Sequence, residues 1–524
     1  MRPASSASPT LITVARRRRG AALAAFVALS LAVAACAGGD SSSPEDDAAS
    51  ATTTSAQPVE GSAPEEGIER VALQRYLTRP DLTPPAIDVL STTTPAPGLV
   101  FLAPKRAGAQ AGPLIVDDRG ETVWAAPETG ADVAADLRVQ TYEGEPVLTW
   151  WEGQSAEGRG AGELVIVDRR YREAARLRMG DGLDADFHEF RLTDEGTALL
   201  LAYTPEPADL SAVAGPRRGY EFENYVQEVD VATGEVLLEW RAGDHVPVSD
   251  TFSELSERED GSEDRPLDWF HANSVAPGPD GTLLVSARNT HTVYAIDRAT
   301  GEVRWRLGGK HSDIAMGAGT AFLWQHDAQW RGGNRISLFD NHASTTGGGP
   351  SRALILDVDA RARTAALVAE ARHPDGLSAG TQGNTQVLPG GGLFVGWGSE
   401  GHVTEFSAAG DVVFDATFAP ADSYRAYRFE WEGQPTDPPN VVVTPVDDQT
   451  RQLDVAVSWN GATEVAAWRV LAGDDADELE PVAEVGKDGF ETTVRIERAA
   501  VVAVEALDAA GEVLDRSDTT TTDG

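Results

Sequence analysis

The sequence predicts an all-β protein, a six-bladed β-propeller followed by a small β-sandwich, and three observations carry that prediction. From about Gly98 onward the chain is filled with short strand signals separated by Gly- and Asp-rich turns, and helical spacing is scarce. Laid over one another, these signals repeat at roughly 55 to 80 residues. After "EGQPTDPPN" they give way to shorter strands at sandwich spacing. A single large β-sandwich or a β-helix is the alternative architecture for the repeat.

Each repeat has two halves. One half reads "HEFRLTDEGTALLLAYTP" from His188, "HANSVAPGPDGTLLVSARNT" from His271, "HDAQWRGGNRISLFDNHAS" from His326 and "GNTQVLPGGGLFVGWGSEG" from Gly383, each a strand, a tight turn and a strand. The other half is a hairpin with D-x-x-T-G-E or a relative at its turn, as in "HTVYAIDRATGEVRWRLGG". Two hairpins make a four-stranded blade, and six second-half hairpins imply six blades over residues 98–434. "GLVFLAP" near the start and "YRAYRFEW" near the end remain as the strands that close the ring.

Residues 67–97 form a lead-in, in which "IERVALQRYLTRPD" predicts one short helix ended by the prolines of "RPDLTPP". Ahead of it, "ARRRRG" precedes "AALAAFVALSLAVAA", an apolar run of 15 residues that suits a secretory signal better than a membrane span. The run ends in "VAAC", which looks like a lipobox, so residues 1–35 are expected to be a lipoprotein signal peptide. Cys36, the single cysteine, is the expected lipidation point. The protein is then extracytoplasmic, anchored by lipid to the outer face of the cell membrane, with no disulfide and no thiolate nucleophile. Residues 36–66 are Ser, Thr, Ala, Pro and acid and are expected to be a disordered tether; 517–524 are expected to be a disordered tail.

Acidic residues outnumber Lys and Arg by 83 to 43, a formal charge of −40. Residues 1–35 hold five arginines and no acid, so the charge is −45 without them. Such a surface argues against nucleic-acid binding and against electrostatic docking on anionic lipid. An anionic substrate would need a local cationic site working against the global field.

The second domain, 437–516, resembles a fibronectin type III module, with Trp459 and Trp468 as its core tryptophans. No catalytic constellation is visible in it. Spacing, or contact with another surface of the cell envelope, is its expected role.

The histidines point to the site. The chain has nine, and three of them, His188, His271 and His326, open the same half-unit in successive repeats. A lone histidine among aromatics is ordinarily a core residue. Here the shared phase places all three at the start of inner strands, which converge at one end of a propeller's channel. Converging imidazoles permit a tri-His metal site or nucleophilic catalysis. Asn273, two residues after His271 and so expected on the same side of a strand, and Arg288 on the return strand favour an oxyanion such as sulfate or phosphate over a metal dication. No metal and no cofactor is therefore expected, and no "GxxxxGK[ST]" loop for a nucleotide is present.

At these residues the chain resembles the bacterial arylsulfotransferases that work without a nucleotide sulfate donor. The resemblance runs from about Arg79 to Pro435. It rests on "RPDLTPP", "DWFHANSV" with downstream "SARN", "FLWQHDAQW" followed by "LFDNHAS", and "AYRFEWEG". It implies His326 as the nucleophile that accepts sulfuryl, with His271, Asn273 and Arg288 on the sulfuryl oxygens and His188 as a further histidine. The implied partners are an aryl sulfate donor and a phenolic acceptor. The paired cysteines of some members are absent.

Trp269, Phe322 and Trp324 flank the key histidines and are candidates to stack on an aromatic ring, as against packing between blades. Asn341 and His342 follow the return strand of the His326 hairpin as candidates for the site and its rim. The acidic insert "SDTFSELSEREDGSEDRP" is expected to be a solvated loop. His245, His291, His311, His373 and His402 fall in turns or outer hairpins and are given no role. A non-catalytic propeller that binds a ligand or an envelope partner, and a tri-His metalloenzyme, are the competing readings.

Overall fold

The computed structural model describes residues 70–128, 132–342, 349–447 and 451–522. The signal peptide, Cys36 and the tether lie outside the described residues. Among those residues no helix is long and apolar enough to cross a membrane.

Six sheets carry the bulk of the chain, antiparallel throughout except that Ala315–Met316 pairs parallel to Thr364–Ala365. Blade 2 runs Val133–Tyr142, Glu145–Ala156, Arg159–Val167 and Glu173–Leu177 from inner to outer edge. Blade 3 is Phe190–Leu192, Thr197–Ala208, Gly219–Asp230 and Val236–Arg241. Blade 4 is Ala272–Pro277, Thr282–Ala287, Thr292–Asp297 and Val303–Gly308. Blade 5 is His326–Trp330, Arg335–Asp340, Arg352–Asp359 and Thr364–Ala371, with Ala315–Met316 on its outer edge. Blade 6 is Asn384–Val387, Leu393–Gly396, His402–Phe406 and Val412–Thr417. Blade 1 combines Leu99–Leu102, Leu114–Val116 and Thr122–Ala125 with the late strand Tyr427–Phe429, which pairs inside Leu99–Leu102.

The inner strands join into a closed ring by hydrogen bonds at every junction. Tyr427 Oη donates to Asp136 (3.1 Å), Gln140 Nε2 to Phe190 O (2.9 Å), and Tyr203 Oη to Ala272 O. Asn273 Nδ2 donates to Gln325 O (2.7 Å), Thr385 N to Asp327 Oδ2 (3.1 Å), and Asn384 Nδ2 to Ala426 O (2.8 Å). Six hydrophobic cores sit between successive blades, and a seventh fills the C-terminal sandwich. Each sheet therefore buries both faces. That explains why its strands read as apolar runs more often than as strict alternation.

Three departures from the sequence reading have local causes. No helix forms over residues 70–81; the segment lies extended, with Tyr76 packed on Phe490 and Thr78 bonded through its N–H and hydroxyl to Glu491. Side-chain anchorage to the sandwich outweighs helix propensity there. The lead-in also supplies Asp88–Thr92 as a fifth, outermost strand of blade 6. Within the expected tail, Thr520–Thr521 pairs with Val501–Val502, and Thr522 N donates to Ala500 O at 3.0 Å. That stretch is ordered because it completes an open sheet edge.

The C-terminal sandwich packs Asn440–Pro445, Gln452–Ser458 and Glu491–Glu497 against a sheet of Glu480–Gly486, Ala467–Gly473, Val501–Leu507 and Val513–Arg516. Trp468 is fully buried at its centre, its Nε1 bonded to Thr492 Oγ1 at 3.2 Å. Trp459 is only half-buried at the edge of that core, with Nε1 on Asp437 O at 2.6 Å. The module also leans on the propeller. Asn460 brackets Ala125 through its N–H (3.0 Å) and carbonyl (2.9 Å), and Tyr171 Oη reaches Gly461 O at 2.8 Å.

Candidate functional site

His188, His271 and His326 all lie where inner strands begin. His326 is the first residue of its strand; His271 immediately precedes one, and His188 comes two residues before another. The rings of His188 and His271 meet edge to face with centroids 4.9 Å apart. Tyr424, from the segment that closes the ring, bridges to the third, with centroids 5.2 Å from His188 and 6.4 Å from His326.

Each imidazole is anchored at Nδ1. His188 Nδ1 meets Asp186 Oδ1, and the other Asp186 oxygen takes the Gly160 N–H at 2.6 Å. His271 Nδ1 lies 2.5 Å from Asp268 Oδ2, which also accepts from Arg159 Nη1 at 3.1 Å. His326 Nδ1 lies 2.7 Å from Asn341 Oδ1. The Asn341 amide nitrogen donates to Ala379 O (3.0 Å) and Gln382 O (2.9 Å), which orients its oxygen toward His326. Nδ1 must then carry the proton, and Nε2 keeps its lone pair. Among the described residues, the Gln382 N–H donates to that lone pair at 3.2 Å.

Burial keeps the His326 and His271 rings neutral. Burial, reinforced by Arg288 and by the other two histidines, pushes His326 well below the ordinary imidazole range despite the Asn341 bond. Burial also lowers His271, against the pull of Asp268. Burial alone would push Asp268 up, but His271, Arg159 and Arg288 hold it at about 2. Because Arg159 is a permanent cation, Asp268 stays ionised beside a neutral His271. Tyr203 and Tyr424 are both pushed well above the usual phenol range, chiefly by burial.

Arg288 is half-buried. Its guanidinium lies 4.7 Å over the Trp324 ring and donates to Asn289 Oδ1 (3.0 Å) and Gly380 O (3.3 Å). Its Nε is buried without a hydrogen-bond partner. Asn273 is completely buried, and its Oδ1 is likewise unpartnered. The expectation that His271 and Asn273 share a side by strand alternation loses its premise. His271 is left-handed (φ 57°) outside the strand, and the pairing register shifts between Ala272 and Ser274.

The aromatic candidates divide. Trp269 and Phe322 are corrected to packing residues. Trp269 is fully buried against Phe270 in the core between blades 3 and 4, and Phe322 sits in the core between blades 4 and 5. Trp324 stays half-exposed beneath Arg288. Asn341 is fully buried behind His326, and His342 is half-buried, its side chain 41% accessible.

The sequence reading missed a second layer. Glu189, Asp327 and Arg425 immediately follow His188, His326 and Tyr424, and with Asp136 and Arg138 they form a buried ionic cluster across the axis. Arg425 is fully buried. It bonds Asp136 and Glu189 at 3.2–3.3 Å, His188 O at 3.0 Å and Asn273 O at 2.9 Å. Against burial, Arg425, Arg138 and Arg191 hold Glu189 at about 2. The anchoring carboxylates were also missed, though "DFH" and "DWFH" print an aspartate two or three residues before each histidine.

The tri-His metal alternative finds no support in ligand geometry. Among the described residues, the His/Cys/Asp/Glu trio whose ligand atoms all lie within 4.8 Å of one another is His373, His402 and Asp415, outside this layer.

A family model described as Arylsulfotransferase (ASST) matches residues 138–419, which span blades 2 to 6 and every residue of the ring layer except Tyr424. No curated protein matches the chain. Among solved structures, a protein of unknown function from Bacteroides caccae aligns with 13% identity, 64% of this chain, all of its own and a TM-score of 0.38. Virginiamycin B lyase from Staphylococcus aureus aligns with 7% identity over 70% of this chain and 94% of its own, TM-score 0.31. The Cps50 (Swd1) β-propeller domain of Myceliophteria thermophila gives 10% identity, 72% and 97% coverage and a TM-score of 0.32.

Proposed function

The chain belongs to the arylsulfotransferase family, and on that premise we propose that it moves sulfuryl from an aryl sulfate ester to a phenol with His326 as the carrier. One observation carries the assignment. The Asn341 amide, held by two carbonyls, fixes the tautomer that leaves His326 Nε2 with a lone pair, and burial keeps the ring neutral.

In the first half-reaction His326 Nε2 attacks sulfur, the N–S bond forms, and the bond from sulfur to the aryl oxygen breaks. The leaving phenolate takes a proton that His271, neutral at rest, has first picked up at Nε2 from solvent, and departs as phenol. In the second half, His271 Nε2 accepts the proton of the incoming phenol as its oxygen attacks sulfur and the N–S bond breaks. The cycle leaves His326 neutral, and His271 returns the acceptor's proton to solvent. Asp268, 2.5 Å behind His271, stabilises the transient imidazolium, and Asp186 holds the His188 ring in place. Negative charge on the sulfuryl oxygens needs a fixed cation, and Arg288 with its unpartnered Nε supplies one. Trp324 forms a flat wall beside it for an aryl ring.

The proposed setting is outside the cell membrane, with lipid on Cys36 as the anchor. The test is turnover of 4-nitrophenyl sulfate with phenol as acceptor, together with peptide mass mapping after donor exposure. His326→Ala should abolish both turnover and the sulfuryl adduct. A wild-type protein that neither turns over nor gains an adduct on His326 across a broad donor panel would end the proposal.

A further inference from the structure

Away from the channel, His373, His402 and Asp415 meet at the junction of blades 5 and 6, and nothing in the transfer chemistry uses them. We propose that they bind a divalent transition-metal ion of the zinc class. His402 Nε2 lies 2.9 Å from Asp415 Oδ1, His373 Nε2 lies 3.3 Å from the same oxygen, and the two rings are 4.6 Å apart. Ligands held at about 2.0–2.1 Å from one ion and separated by those distances subtend angles of about 90° and 107° at it, within reach of a tetrahedral site. Two imidazoles and a carboxylate are borderline donors that suit zinc better than calcium or magnesium. All three residues are buried, at 5%, 8% and 8% exposure, which favours a fixed and desolvated ion.

The surroundings hold the ligands in place. Thr404 Oγ1 donates to Asp415 Oδ1 at 2.7 Å and itself accepts from Trp397 Nε1 at 2.9 Å, so its proton is committed to the carboxylate. Burial alone would push Asp415 up, but the His402 and Thr404 bonds keep it low and ionised. His373 opens a His-Pro-Asp-Gly turn, closed by the Gly376 N–H on His373 O at 2.9 Å. On metal uptake the ion replaces the two Nε2–H bonds from His402 and His373 to Asp415, and a third bond must change as well. His373 Nδ1 now accepts the Asp375 N–H at 3.1 Å, whereas a ring ligated through Nε2 carries its proton on Nδ1. The Asp375 carboxylate, 4.0 Å from Nδ1, is the acceptor at hand for that proton. The loop from His373 to Gln382 also supplies Ala379 O, Gly380 O and the Gln382 N–H to Asn341, Arg288 and His326. An ion here would fasten the start of that loop to blade 6.

The test is independent of sulfuryl transfer. The full chain, stripped with a chelator and dialysed, is titrated with zinc chloride, and bound metal is counted by elemental analysis. One zinc per chain is expected. His402→Ala and the isosteric Asp415→Asn should each weaken it by more than about 100-fold, and Asp375→Ala by about 10- to 100-fold. His311→Ala, at an exposed surface histidine, should leave it unchanged. A wild-type protein that takes up no zinc overturns the proposal. So does an Asp415→Asn protein that stays folded and retains full affinity, which would mark the trio as a closed hydrogen-bonded cluster around Asp415.

Discussion

Replacing Asp268 with Asn tests whether His271 handles the proton. The change is nearly isosteric, and an Asn oxygen can still accept the Nδ1–H that now lies 2.5 Å from the carboxylate. What it removes is charge. A hydrogen bond to a charged partner contributes about 1.5–3 kcal/mol, against about 0.5–1.5 for a neutral one. The imidazolium that forms as His271 takes a proton would lose roughly that difference, about 1–1.5 kcal/mol, and at 1.36 kcal/mol per decade the step slows by about 5- to 13-fold. The loss should depend on the leaving group. Phenyl sulfate expels a basic phenolate that needs the proton, whereas 4-nitrophenolate departs without it, so kcat/KM should fall by the full factor for the first donor and by less than about 2-fold for the second. The pH profile supplies the sign. Asp268 raises the His271 pKa, so its loss lowers that pKa further and moves the alkaline limb for phenyl sulfate to lower pH. An equal fall for both donors, with an unmoved pH profile, would refute the proton-transfer argument and leave Asp268 a structural residue.

Arg288→Ala should cost about 100- to 1,000-fold in kcat, the usual loss on removing one preorganised donor, as measured by steady-state turnover of 4-nitrophenyl sulfate. Because Arg288 also depresses the His326 pKa, the acid limb of adduct formation in single-turnover mass mapping should move to higher pH in that variant. In the wild type that limb should lie well below the ordinary imidazole range, since His326 must be neutral to attack. Arg425→Met should destabilise the fold by about 3–5 kcal/mol in urea titrations, because it leaves Asp136, Glu189 and Asp327 buried without their shared cation. Glu189 is depressed to about 2, so its stabilisation is complete above the ordinary carboxylate range and is lost as pH falls toward 2. Acid titration of stability should show a loss in that window that Arg425→Met reduces, Arg138 still pairing with Glu189.

Much of the propeller was legible because its physics is periodic. Two-fold alternation, Asp-Gly turns and a repeated half-unit are local signals, and they located the strands that begin at or next to His188, His271 and His326. The closing strand was legible by elimination, since "YRAYRFEW" had no hairpin partner of its own. Tertiary contact hid the rest. Residues 70–81 have helix-forming composition, but their partners are Phe490 and Glu491, more than 400 positions away. His373 and His402 looked like isolated turn residues because the Asp415 that joins them sits on a different strand. Trp269 and Phe322 stand two and four residues before His271 and His326, yet the step at each strand's entry carries the chain from the channel into an interblade core.

That same step explains how one narrow axis holds both a ring layer and a charge layer. In a regular strand adjacent side chains point to opposite faces, so His326 and Asp327 could not both address the channel. They do so because Asp327 is left-handed (φ 54°) and the register slips between His326 and Gln329. Blade 2 repeats the device, with Asp136 at φ 62° and a slip between Ala135 and Arg138 that brings both residues to the ionic cluster. Left-handed backbone at a non-glycine residue costs on the order of 1–3 kcal/mol, so two such sites persist only because the bonds they enable outweigh it. Arg425 and Arg138 provide those bonds. The buried cluster is thus both the floor beneath the imidazoles and the reason the inner strands can turn His326 toward Gln382 and Asn341. Weakening the charge layer should therefore loosen the ring layer before it unfolds the blades.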